Sequence, residues 1–148
     1  MGLNEDLGDR ENIGSAAVAA QRTRDKANEQ IAAMINSLTR HVHAANKQWW
    51  RNLETDEPIQ RNVGELLALV HSEISEALEG HRKNLMDDKL PHRKMFEVEL
   101  ADAIIRIFDI AAGLNLDLGG AYVEKMAFNA QREDHKRESR LLANGKKY

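Results

Sequence analysis

Apolar residues recur at helical spacing over most of the chain. Ile31, Met34, Ile35, Leu38 and Val42 lie three or four positions apart, with Trp49 further along, and together mark one face of a helix. The surrounding stretch, roughly Ser15 to Asn52, is rich in Ala, Gln, Arg, Lys and Glu and holds no Pro or Gly, so it is predicted helical throughout. Its Ala-rich first half carries few large side chains and needs a partner to stay ordered. Residues 1–15, with three glycines and many charges, read as a flexible N-terminal arm. Glu54-Thr-Asp-Glu-Pro58 breaks the helical pattern. A second helix is expected from Ile59 to Lys83, ended by the polar segment Asn84–Pro91, and a third from His92 to Ala112, stopped by Gly113 as a C′ glycine. Asp117 is placed to cap a fourth, from Leu118 to Arg137, before a basic tail over 138–148. Four helices with short connections predict an all-α, four-helix-bundle-like fold in a single domain over residues 16–137.

The third helix breaks the usual partition of polar and apolar residues. At about 100° per residue, Met95, Glu99, Asp102, Arg106 and Asp109 fall in one stripe, while most other positions from Phe96 to Ala112 are apolar. A helix so nearly apolar all round is expected to be buried, and its charges are then costly unless paired or metal-bound. Helix two carries a matching feature. Its apolar arc is Val63, Leu67, Val70, Ile74, Ala77 and Leu78; Glu73 and Glu76 sit at the edge of that arc, whereas Glu65, Ser72 and Glu79 point further out. Residues three apart share a helix face, so Glu73 with Glu76 and Glu99 with Asp102 can each aim two carboxylates at one point. Two facing helices could then offer several oxygens to a hard cation such as Mg²⁺. The competing reading is a polar seam in which these acids pair with Arg106 and nearby lysines.

On the fourth helix Lys125, Asn129, Arg132 and Lys136 are spaced four, three and four apart and are expected on one face, with Tyr122 nearby. Such a stripe is either a solvated basic face or a seat for a polyphosphate chain. Trp49 and Trp50 diverge by about 100° on a helix. At most one joins the core fully, and the other either stacks on a nucleobase or covers the bundle end.

Composition narrows the possibilities. Within 148 residues, 42% hydrophobic and 30% charged, there is room for one core. A net charge of −3 gives no reason to expect nucleic-acid or membrane-surface binding. With no cysteine, disulfides, thiolate metal sites and a cysteine nucleophile are excluded. No basic start followed by an apolar run suggests a signal peptide, and no apolar run reaches spanning length, so a cytoplasmic protein is expected. His41 and His43, two apart, diverge on a helix and make a poor ligand pair. Glu-x-x-His is absent, which counts against a di-iron bundle.

The order of these motifs resembles the all-α NTP pyrophosphatase superfamily of MazG-like proteins, dCTP pyrophosphatases and dimeric dUTPases. Asn62 through Glu79, with Glu73-Ile-Ser-Glu76, is similar to its first metal-binding helix, and Glu99-Leu-Ala-Asp102 through Asp109 to its second. Lys125-Met-Ala-Phe-Asn129-Ala-Gln-Arg132 is similar to its downstream K-x-x-x-N-x-x-R element, and His43 through Trp50 to the aromatic end of its first helix. The likeness spans about residues 31–136. After the asparagine element, where many MazG-like proteins continue R-P-Y-x-H, this chain reads Arg132-Glu-Asp-His135-Lys.

The resemblance implies hydrolysis of a (d)NTP to a (d)NMP and pyrophosphate, with Mg²⁺ (or Mn²⁺) on Glu73, Glu76, Glu99 and Asp102. It implies phosphate or substrate contacts from Asn62, Lys125, Asn129 and Arg132. Glu76 is the expected general base, and Trp49 or Trp50 the expected base-stacking residue. The fold is expected to be completed by oligomerisation, as a homodimer or homotetramer. The alternative is a noncatalytic helical oligomer that binds a nucleotide or a protein partner.

Overall fold

The computed structural model describes the backbone over residues 5–147 and side chains from Ala16 onward. Among these residues the regular structure is helical, with no strand: α1 (Glu5–Ala45), α2 (Val63–Lys83), α3 (Met95–Gly113), α4 (Leu118–Ala130) and α5 (Arg137–Leu141). Short 3-10 turns occupy Lys47–Trp50 and Glu133–His135. The expected all-α class is observed. Helix α1 starts at Glu5, ahead of Ser15, so the expected arm is helical over residues 5–15, and its first four positions lie outside the described residues. The chain divides into two compact units, one spanning Asn36–Asp117 and the other formed by residues up to Ile35 together with those from Leu118 onward.

In the Asn36–Asp117 unit, α2 and α3 form an antiparallel hairpin. Helix α2 begins four residues later than Ile59 because Asn62 is extended and caps it, its Oδ1 accepting from the N–H of Gly64 (2.8 Å) and Glu65 (3.3 Å). Glu65 in the first turn and His81, Arg82 and Lys83 in the last complement the helix dipole. The hairpin connection is tied by Asn84, left-handed at φ 53°, and by the buried Asp87, whose carboxylate accepts from the N–H of Lys89 and Leu90.

Helix α1 ends at Ala45 rather than near Asn52. The following residues tighten into a 3-10 turn, with the Trp49 N–H donating to Asn46 O. No Pro or Gly announces this stop. Trp50 then lies against Gly113, where a Cβ would collide with the indole ring. Gly113 therefore supplies space rather than the left-handed cap read from the sequence; it is the last residue of α3, and among the described residues no glycine has positive φ. Gly113→Ala is expected to cost about 1–3 kcal/mol by overpacking, read as a lower urea midpoint at unchanged m-value.

The expectation that α3 is buried fails within this chain. Its buried apolar residues are Ala103, Ile110 and Ala111, whereas Phe96, Leu100, Ile104, Ile105 and Ile107 are 38–50% exposed. Among the described residues α2 packs along one side of it. Helix α2 likewise leaves Val63, Leu67, Ile74 and Leu78 exposed along one face.

In the other unit α4 approaches α1 closely at Gly119, where a Cβ would strike the backbone carbonyl of Ala32. Helix α4 stops at Ala130 rather than continuing to Arg137. Arg132 is extended and grips Asp134 through two hydrogen bonds, Nε to Oδ1 at 2.9 Å and Nη2 to Oδ2 at 2.6 Å. That fork holds the chain in a turn, and α5 follows where the basic tail was expected.

Candidate metal centre and adjoining cavity

The two acid pairs are set by their helices. Glu73 and Glu76 lie one turn apart on α2, and Glu99 and Asp102 one turn apart on α3. Packing the hairpin brings one carboxylate oxygen from each of Glu73, Glu76 and Glu99 within 4.8 Å of one another. Glu73 and Glu99 are 6% and 8% exposed, while Glu76 is open to solvent. Asp102 stands outside this close group and lies instead on the wall of a neighbouring cavity.

Charge in the cluster is unbalanced. Arg106, one turn beyond Asp102, donates from Nε to Glu73 Oε1 at 2.6 Å. Among the described residues no lysine forms an ion pair with Glu76, Glu99 or Asp102, so the polar-seam reading accounts for Glu73 alone. Burial, a hydrogen bond shared with Glu73 and the charges of Glu76, Glu73 and Asp102 push the Glu99 carboxyl up to about 7. Carboxylates crowded this closely cannot all ionise cheaply without added positive charge. Their hard oxygen donors on two helices suit a divalent cation such as Mg²⁺ or Mn²⁺.

Beside the cluster is a cavity of about 520 Å³ walled by Trp49, Arg61, Leu66, Leu69, Asp102 and Arg106, among others. It combines apolar surface, an exposed indole and two guanidinium groups. The tryptophans divide as their divergence predicts. Trp49 is 62% exposed and faces the cavity. Trp50 is half-buried, and its Nε1–H donates to both carboxylate oxygens of Asp109 at 3.1 and 3.0 Å. His43 Nδ1 meets Asp109 Oδ1 at 2.7 Å and packs edge-on against the Trp50 ring. Asp109 thus locks the end of α1 and the 3-10 turn onto α3.

Sequence reasoning missed Arg61. Its Nη1 donates to the Trp49 carbonyl at 2.7 Å, and its guanidinium carbon lies 6.0 Å from the Trp50 ring centre. It sits in the extended segment before the Asn62 cap, where no periodicity could flag it. Asn62 is exposed, and its Oδ1 is already used in capping α2.

The basic residues belong to the other unit, and the single helical stripe expected there is not formed. Lys125 and Asn129 lie on α4, but Arg132 and Lys136 follow its end. Arg132 is paired with Asp134 and Lys136 with Glu133 at 2.5 Å, so both cations are matched by the acids that separate this segment from the R-P-Y-x-H pattern. Lys125 stays exposed, with Nζ 4.9 Å from the Phe128 ring centre. Asn129 Oδ1 is a buried side-chain oxygen without a hydrogen-bond partner among the described residues.

No family model, curated protein or solved structure matches the chain.

Proposed function

We propose that the chain is a magnesium-dependent, MazG-like nucleoside triphosphate pyrophosphohydrolase that converts a (d)NTP to the (d)NMP and pyrophosphate. The observation that carries this reading is the convergence of Glu73, Glu76 and Glu99 next to a cavity holding Trp49, Arg61 and Arg106. A metal-binding cluster alone would suit many proteins. An aromatic platform and two guanidiniums beside it suit a ligand with a flat ring at one end and several negative charges at the other.

In this reading Glu73, Glu76 and Glu99 would hold Mg²⁺, with Asp102 on the adjoining wall as a fourth oxygen donor, and the ion would supply positive charge to the phosphates. Trp49 stacks on the base, and the arginines orient the phosphate chain. Water attacks the α-phosphorus as the bond to the bridging oxygen breaks and pyrophosphate leaves. Glu76, the exposed member of the cluster, accepts the proton of that water. The half-exposed apolar faces of α2 and α3 support assembly as a homodimer or homotetramer. Among the described residues no helix is long and apolar enough to cross a membrane.

The same exposed faces favour a second reading, a noncatalytic helical oligomer that binds a nucleotide. Pyrophosphate release from a panel of NTPs and dNTPs, with Mg²⁺ and with excess chelator, separates the two. Turnover of at least one nucleotide, lost with chelator, is expected. Binding without turnover across the whole panel would leave the noncatalytic reading standing instead.

A further inference from the structure

Arg106 is the cation paired with the acidic cluster, and it is paired incompletely. Its Nε donates to Glu73, but neither terminal nitrogen has a partner among the described residues. Guanidinium–carboxylate pairs are frequently two-pronged. This one is single-pronged, and the Arg106 side chain, 40% exposed, forms part of the cavity wall. Arg61 stands on the same wall with one nitrogen committed to the Trp49 carbonyl. Two guanidiniums with spare donors at one cavity fit an anion carrying several oxygens, and Asp102 beside them does not fill that role.

We propose that Arg106 exchanges partners: it neutralises Glu73 while the cluster holds no divalent cation, and turns to a polyphosphate oxygen once a cation is bound. The proposal rests on the reading of the site as a cation and phosphate site, and adds how the two ligands depend on each other. A cation among Glu73, Glu76 and Glu99 gives Glu73 the positive charge it otherwise takes from Arg106. The guanidinium then lies beside a like charge, and its pull toward Glu73 is weakened. A polyphosphate offers paired oxygens that match its planar fork. Cation alone therefore competes with Arg106, whereas cation and polyphosphate together recruit it, so each tightens the other by the same factor.

The test is titration calorimetry with Mn²⁺ and inorganic tripolyphosphate on wild type, Arg106→Gln and Arg106→Lys, with thermal unfolding as the check on folding. Wild type should bind tripolyphosphate more tightly with Mn²⁺ present. Arg106→Gln should bind Mn²⁺ alone as well as or several-fold more tightly than wild type, yet lose about 10–100-fold in tripolyphosphate affinity with Mn²⁺ present. Arg106→Lys keeps the charge without the fork and should fall between the two; if the glutamine variant does not fold, this variant carries the comparison. Weaker Mn²⁺ binding in the variants with unchanged tripolyphosphate affinity would make Arg106 a structural counter-ion and overturn the exchange. If wild type binds both ligands and neither variant differs from it, the exchange alone is overturned and the reading of the site stands. If wild type binds neither, both fall.

Discussion

Under the proposed pyrophosphohydrolase function, Glu99→Gln is expected to remove roughly 1,000-fold or more of nucleotide turnover, while making the metal-free protein more stable above neutral pH. The loss of turnover would follow from deleting one negative oxygen donor at a site where a bound cation would stabilise developing charge by several kcal/mol. The gain in stability follows from the raised Glu99 carboxyl. In the unfolded chain it releases its proton near the ordinary 4.5, but in the fold only around 7. Below the unfolded value both states hold the proton and folding carries no penalty. As pH rises toward and through about 7, the folded state must ionise a buried carboxyl beside Glu73 and Glu76, so stability is progressively lost and stays reduced above that range.

Glutamine at this position has no proton to release, so the variant's stability should be flatter between pH 5 and 8. A gain on the order of 1–2 kcal/mol at pH 8 is expected, with water around the open Glu76 screening part of the full effect. Urea unfolding in chelator at pH 5 and pH 8 reads the two limits, and adding Mg²⁺ should stabilise wild type more than the variant. A variant that is less stable than wild type at pH 8 in chelator would show that the crowding at Glu99 is not the controlling term.

The adjacent tryptophans should respond in opposite ways. Trp50→Ala is expected to cost about 2–4 kcal/mol, because it empties the space against Gly113 and strips two hydrogen bonds from the buried Asp109. Trp49→Ala should change stability by less than about 0.5 kcal/mol, because the side chain is largely exposed. It should instead weaken nucleotide affinity by about 1–3 kcal/mol, roughly 5- to 150-fold, if the indole is the base platform. Inorganic tripolyphosphate has no base, so its affinity should be unchanged in Trp49→Ala. Equal losses for the nucleotide and tripolyphosphate would place Trp49 in a structural role and remove base stacking from the proposed site.

The two tryptophans also show how far sequence alone reaches. Adjacent residues on a helical turn must diverge, so it was legible that at most one ring could be fully covered. Which ring is the more covered was not, because it depends on Asp109 and Gly113, far along the chain. The elements themselves were largely legible for the same local reason, since apolar periodicity and the polar break at Asn84 act within a few residues. Their ends were not. The 3-10 turn at Lys47–Trp50 and the stop at Ala130 contain no breaker, and each is accompanied by pairings, of Trp50 with Asp109 and of Arg132 with Asp134, that periodicity does not register.

The sequence by itself determined the helical class and the two acid pairs, because i, i+3 geometry fixes which neighbours share a helix face. Tertiary structure alone decided that Glu73, Glu76 and Glu99 meet while Asp102 turns to the cavity, that Arg106 serves Glu73, and that the apolar flank of α3 stays uncovered in this chain. Those outcomes depend on how two helices are rotated and shifted against each other. That choice minimises the summed cost of packing and buried charge over the whole hairpin, and no short window of residues contains it.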